Sequence, residues 1–181
     1  MPTFASPARP NMPRPDSRRL RWLIFLVAVP LVVIADQITK AWIRAYPVGS
    51  LIFQEGFFRI VHIENSGAAF GLFQSHSTVL MVIDFLALAL ILSYFAFLHR
   101  KFPLFRSSFG WLALSLIFSG ASGNLLDRLN PNIGGITDFV YIWRWPAFNV
   151  ADSSISVGVV LLALTVLFTL EKPKTPNAAQ P

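Results

Sequence analysis

The chain of 181 residues has no cysteine, only three histidines and few charges, with Asp, Glu, Lys and Arg making up 13% of it. The lack of cysteine removes disulfides, thiol nucleophiles and thiolate metal sites together. The histidines give little in return. His62, His76 and His99 stand apart from one another and beside no evident serine nucleophile constellation, and no metal-ligand spacing is present. A soluble domain carries roughly 25% charged residues, about twice the share found here. In their place stand hydrophobic residues, 54% of the chain, with a mean hydropathy of +0.57.

The apolar residues are concentrated in four runs, about Leu20 to Trp42, Thr78 to Leu98, Phe109 to Leu129 and Ala151 to Leu170. Spanning ~30 Å of hydrocarbon takes roughly 20 helical residues, so each run is long enough to cross a bilayer. The expected fold is therefore an all-α membrane protein of four transmembrane helices, with outer loops at 43–77 and 130–150. The first run is too long for a cleavable secretory signal and lacks a small-x-small cleavage site, which favours an uncleaved span.

The formal charge of +6 and pI near 10.3 reflect topology rather than affinity for nucleic acid. Arg9, Arg14, Arg18, Arg19 and Arg21 precede the first span, Arg100, Lys101 and Arg106 separate the second from the third, and Lys172 and Lys174 follow the fourth. Threading four spans puts all of these on one side, so the positive-inside rule predicts cytoplasmic termini. Residues 1–19, basic and rich in proline, and the tail 171–181 read as disordered. The first outer loop differs: Ser50 to Glu64 is rich in β-branched and aromatic residues and is broken by Gly56, which predicts a short hairpin or small sheet. Phe53, Phe57, Phe58, Phe70 and Phe73 suit an interfacial platform or simple anchors, and Trp143 and Trp145 lie just before the fourth span.

A charged side chain inside a membrane costs roughly 2.5–3.5 kcal/mol on insertion scales, so those that occur need partners or a wet cavity. Asp36 and Lys40 are one helical turn apart and share a face. Gly120 and Gly123 permit close helix approach, and Asn124, Asp127 and Arg128 follow at i, i+3 and i+4, as packing glue or as part of a site. Asn149 and Asp152 have the spacing of a capping box at the start of the fourth span. Asp138 lies in a short extended stretch after a Gly-Gly turn and, alone, reads equally well as an exposed loop carboxylate. Offsetting Asp36 with Lys40 and Asp127 with Arg128 leaves Asp138 and Asp152 without an obvious cation, with Arg44 and Arg144 as the residues able to upset that tally. Two such carboxylates a few ångströms apart share a proton and can activate a water. Asp84, within the second span, has no assigned partner.

Five words occur in order: Asp36-Gln-Ile-Thr-Lys40, Glu64-Asn-Ser-Gly-Ala-Ala-Phe70, Gly120-Ala-Ser-Gly-Asn-Leu-Leu-Asp-Arg128, Thr137-Asp-Phe139 and Trp145-Pro-Ala-Phe-Asn-Val-Ala-Asp-Ser153. Together, over about Leu20 to Leu170, the chain resembles bacterial lipoprotein signal peptidase, or signal peptidase II. Ser119-Gly120 stands where that family more usually has Gly-Gly, a change that keeps a small residue at the approach. The resemblance implies an intramembrane aspartic endopeptidase of the bacterial cytoplasmic (inner) membrane, with its active site near the outer face. Its substrates would be diacylglyceryl-modified prolipoproteins, cut just before the lipid-bearing cysteine. It implies a catalytic pair of Asp138 and Asp152, supported by Asp36, Lys40, Asn65, Asn124, Asp127, Arg128 and Asn149. No metal or organic cofactor and no nucleic acid is expected, membrane lipids are the expected surroundings, and the expected state is a monomer. A small proton-coupled transporter or a non-enzymatic membrane scaffold is the alternative on residues alone. The transporter predicts polar residues through the whole bilayer depth, whereas apart from Asp84 they gather at one end of the spans.

Overall fold

The computed structural model describes residues 17–66, 77–99 and 107–170. Most of the amino-terminal extension, Phe70, Phe73 and His76, the loop cations Arg100, Lys101 and Arg106, and the tail 171–181 lie outside the described residues. The element order is α1 (Ser17–Arg44), β1 (Leu51–Glu55), β2 (Phe58–Asn65), α2 (Ser77–Ser93), α3 (Ser108–Leu129), β3 (Ile136–Ile142) and α4 (Val150–Leu170). A π-helical turn, Tyr94–Leu98, prolongs α2. All four helices are long and apolar enough to cross a membrane, and their limits fall within a few residues of the sequence expectation.

The bundle is built around α3. In its most apolar stretch 61% of residues are buried, against 6% for α1, so α3 is the helix that the other three pack on, while α1 turns one face to it and leaves most of its apolar surface outward. Lipid tails are as apolar as leucine, so helices associate in a membrane through close packing and polar contacts rather than through the hydrophobic effect. The sequence of α3 supplies both. Gly110, Ala113, Ser115, Ser119, Gly120, Ala121 and Gly123 form its buried face. A Cβ on Gly120 would collide with the Ala151 carbonyl oxygen and with Ile155, and one on Gly123 would stand 2.6 Å from Asp36 Oδ2. Across the seam, a Cβ on Gly158 would lie 2.8 Å from the Ala113 carbonyl oxygen.

The two ends of the bundle are held by different chemistry. At the end where α1 begins, Trp22 and Phe25 of α1 pack with Phe95 of the π-helical turn and with Trp111 and Phe118 of α3. Ring centroids are 4.6 Å apart for Phe25 and Phe95, 4.7 Å for Phe95 and Trp111, and 5.2 Å for Trp22 and Trp111. Aromatic pairs at such spacing contribute about 0.5–1.5 kcal/mol each beyond the area they bury. At the opposite end the seam is polar and carries the sheet.

The hairpin expected in the first outer loop is present. Gly56, with φ of 56°, opens the two-residue turn between the paired Glu55 and Phe58. The second outer loop adds a pairing that the sequence did not announce: the extended stretch around Asp138, Ile136–Ile142, is an antiparallel third strand beside β2, giving the order β1-β2-β3. Gly135 makes this possible, because a Cβ there would lie 2.5 Å from the Asn65 carbonyl oxygen. After β3 the chain doubles back, and Phe148 exchanges backbone hydrogen bonds with Val140. That return sets the start of α4 beside the middle of β3.

The seam makes a direct prediction. Gly120→Ala presses a methyl group onto the α4 backbone and should cost about 1–3 kcal/mol, the usual penalty of overpacking. Thermal unfolding of the detergent-purified protein measures it; a midpoint equal to that of the unaltered protein would show that α3 and α4 separate freely.

Candidate active site

The polar end starts from a buried lysine. Lys40 has no exposed side-chain surface, and its Nζ lies 2.8 Å from Asp36 Oδ2 and 3.1 Å from Asp127 Oδ2. Nζ also donates to Asn124 Oδ1 at 3.1 Å. A buried ammonium is tolerable only when its donors are matched by charge and hydrogen bonds together, and here two carboxylates and an amide oxygen match them. Asp36 also accepts from the backbone N–H of Ala151 at 2.9 Å, so α1 supplies a carboxylate to the first turn of α4, where the helix dipole favours a negative charge.

Asp127 has a second cation. Arg44 Nη2 stands 2.6 Å from its Oδ1, while Arg44 Nε donates to Thr137 Oγ1 at 2.7 Å. The Thr137 backbone N–H donates to the other Asp127 oxygen at 3.1 Å. The first residues of β3 are thereby tied to the ends of α1 and α3. Gln37 adds its amide to the cluster, donating to Asp127 Oδ1 at 3.2 Å.

The pairing of Asp127 with Arg128 expected from the sequence does not form. Neighbouring helical residues point in directions about 100° apart and do not face each other. Arg128 instead reaches across to α2 and pairs with Asp84. Asp84, the acid without a partner in the sequence, is the counter-ion of Arg128, and Arg44 is the counter-ion that the sequence tally left aside. Arg44 carried a signal: it lies four residues beyond Lys40, on the same face of α1. Arg144 stays out of the cluster, its guanidinium 5.5 Å from the Trp143 ring centroid.

With these pairs formed, Asp138 and Asp152 have no cation within ion-pair distance among the described residues. What holds them is a set of three asparagines. Asp138 accepts from Asn65 Nδ2 at 3.0 Å through one oxygen and from Asn149 Nδ2 at 2.8 Å through the other. Asp152 accepts from Asn124 Nδ2 at 2.8 Å and from the Asn149 backbone N–H at 3.2 Å. Asn149 also receives the Asp152 backbone N–H on its Oδ1 at 2.9 Å, so the capping box suggested by the sequence is real. Its side chain does more than cap, because the same residue holds both carboxylates.

Each asparagine comes from a different element. Asn65 ends β2 opposite Ile136, which makes Asp138 its diagonal neighbour on the sheet. Asn124 lies on α3, and Asn149 precedes α4. Asp138 is buried, and that burial, with the Asp152 charge adding to it, pushes its carboxyl up to about 7 against the hydrogen bonds from Asn65 and Asn149. All nine residues singled out in the sequence thus meet at this end of the bundle, eight of them in two layers and Arg128 beside them on the cleft. Asp36, Lys40 and Asp127 form the inner ionic layer, and the asparagines with Asp138 and Asp152 form the layer above it.

A cleft of about 650 Å³ opens on the outer layer, lined by Asp138, Asp152, Asn65, Asn124, Asp84 and Arg128 together with apolar residues of α2, α4 and the loop before α4. Among the described residues no group of three His, Cys, Asp or Glu side chains is placed to hold a metal ion. Buried carboxylates held by neutral amides, beside donors that line an open cleft, form a site suited to proton transfer.

The fold and cleft define a multi-pass membrane protein with an acidic centre at one end of its spans. The chain belongs to the signal peptidase II family: residues 28–168 match the family model described as Signal peptidase (SPase) II. It is 40% identical over 148 residues to the lipoprotein signal peptidase of Dehalococcoides mccartyi (strain ATCC BAA-2266 / KCTC 15142 / 195), covering 81% of this chain and 91% of that one. To the lipoprotein signal peptidase of Moorella thermoacetica it is 37% identical over 145 residues, covering 79% and 92%. A solved structure described as "Bacterial membrane enzyme structure by the in meso method at 2.3 A resolution" superposes with a TM-score of 0.74 at 29% identity, covering 83% of this chain and 92% of that one.

The corrected pairing is testable by stability. Arg128→Met strands the Asp84 carboxylate and should lower the unfolding midpoint; adding Asp84→Asn should recover most of the loss, while adding Asp127→Asn should not. Recovery by the second combination alone would restore the neighbour pairing.

Proposed function

We propose that the protein is an endopeptidase that removes the signal peptide from diacylglyceryl-modified prolipoproteins, cutting before the lipid-bearing cysteine, and that Asp138 and Asp152 activate the water. The observation that carries the reading is the shared hold of Asn149 on both carboxylates, on the wall of the cleft and, among the described residues, outside ion-pair distance of any cation. Family membership supports the peptidase activity, and the names of the relatives support the lipoprotein substrate.

Two carboxylates kept close by one asparagine, one of them raised to about 7, hold a single proton between them near neutral pH. The ionised member takes a proton from the water as its oxygen attacks the scissile carbonyl carbon. The protonated member first donates to the carbonyl oxygen. Collapse of the tetrahedral intermediate breaks the C–N bond: the carboxyl that received the water proton passes it to the leaving amine, while the carboxylate that had given up its proton takes one back from a hydroxyl of the intermediate as the new carbonyl forms. Each turnover returns the pair to one shared proton. Asn65, Asn124 and Asn149 hold the oxygens without adding a positive charge that would strip that proton away.

Asp36, Lys40 and Asp127 serve this site as its foundation, and Arg128 faces substrate. The positive-inside rule supports cytoplasmic termini and a cleft toward the outer face of the bacterial inner membrane. A substrate helix entering laterally then meets the carboxylates at the depth where its lipidated cysteine lies.

Purified protein in detergent should cleave a lipidated prolipoprotein and spare an unlipidated control; equal rates on both would refute the lipid requirement. Asp138→Asn and Asp152→Asn should each abolish turnover in a protein that still inserts and folds, and full activity in either would refute the pair. The shared proton is present below about 7 and lost above it, so kcat should fall as pH rises through that value. A rate that climbs steadily to pH 9 would exclude the mechanism.

A further inference from the structure

Among the described residues, Asp84 is the one acidic side chain at the cleft that neither the ionic layer nor the carboxylate pair uses. It lies on α2 one turn from Leu80, both line the cleft, and its carboxylate holds the Arg128 guanidinium that comes across from α3. Arg128 is itself a cleft residue with 8% side-chain exposure, and Asp84 is its ion-pair partner among the described residues. A guanidinium carries five N–H donors in a rigid planar fork, and one carboxylate oxygen engages only part of it.

We propose that Asp84 is a positioning residue for substrate: by fixing one edge of the Arg128 fork to α2, it turns the remaining N–H donors toward the backbone carbonyls of the peptide in the cleft. The proposal deepens the peptidase reading and rests on it. A guanidinium on a flexible stem loses rotamer freedom when it binds, and a partner that holds it beforehand removes that cost from substrate binding. The pair also serves specificity of position. A peptide carbonyl is neutral, so it can share the fork with Asp84, whereas a second carboxylate on the substrate would meet the Asp84 charge. Mere neutralisation of an acid in a span predicts none of this, because the direction of the fork would then be immaterial.

The test is a kinetic cycle in detergent with a lipidated prolipoprotein, using the unaltered protein, Asp84→Asn, Asp84→Glu, Arg128→Met and the double variant. Loss of one oriented charged hydrogen bond should raise KM roughly tenfold in Asp84→Asn, with a smaller change in kcat. Asp84→Glu keeps the charge and displaces the fork, and should give an intermediate KM at an unchanged unfolding midpoint. In the Arg128→Met background, Asp84→Asn should raise KM no further, since there is no fork left to orient. Equal KM for the unaltered protein and Asp84→Asn would overturn the proposal, as would additive effects in the double variant. Should Asp84→Asn fail to fold, a KM for Asp84→Glu equal to that of the unaltered protein overturns it. Absence of cleavage by the unaltered protein would instead overturn the peptidase reading.

Discussion

The buried ammonium of Lys40 is the constraint from which the rest of the polar end follows. A cation in a bilayer-spanning helix has to be matched on all sides, and each match comes from a different part of the chain: Asp36 from the preceding turn of α1, Asp127 and Asn124 from α3. Once Asp36 is fixed by Lys40, its other oxygen takes the Ala151 N–H and the first turn of α4 is placed. Removing one partner of such a cluster leaves an uncompensated charge away from water, which costs about 3–5 kcal/mol. The geometry is therefore held far more tightly than apolar contact in lipid would hold it, and Gly120 and Gly123 let the helices come close enough to form it.

The sheet answers a second requirement. A carboxylate on a span alone would have to face a second span for its partner, with both backbones committed to helix. Here one acid lies on α4 and the other on a strand whose edge is paired by β2 and whose first residues are tied down by Asp127 and Arg44. The chain between them, Trp143 to Phe148, folds back on β3, so Asn149 arrives already within reach of Asp138. Trp143 adopts a φ of 50° at the turn, a conformation that a non-glycine residue holds only when its surroundings determine it; its N–H donates to the Phe57 carbonyl of the hairpin at 2.8 Å.

What the sequence made legible and what it hid divide by range. The four spans, the Asp36–Lys40 pair, the Asn149–Asp152 box and the hairpin about Gly56 are local, and local spacing decides them. The third strand was hidden because its pairing joins residues some seventy positions apart, and nothing in Ile136–Ile142 says which edge it meets. The partner of Arg128 was misread for an instructive reason. Adjacency in sequence suggested Asp127, yet adjacency on a helix means divergence, and the true partner lay at matching depth on another span. Depth is a property of the assembled bundle, so Asp84 and Arg128 could find each other only there. Bringing Asp138 and Asp152 together likewise needed the fold, although charge counting had already set the two apart.

The two layers of the site are joined through one amide, and its orientation follows from the donor count. Lys40 has three donors and no acceptor, so the group that Asn124 offers it has to be the carbonyl oxygen. That choice leaves the Asn124 NH₂ pointing the other way, at Asp152, as a donor. A buried positive charge therefore reaches the upper layer as a neutral hydrogen bond, with its direction kept and most of its charge already matched by Asp36 and Asp127. A cation in direct contact would pair with Asp152 and hold it ionised. A neutral amide with no charge behind it would be free to flip and present its oxygen to a carboxylate. On the proposed reading, the arrangement supplies orientation without taking the proton, which a pair of acids sharing one proton requires of its neighbours.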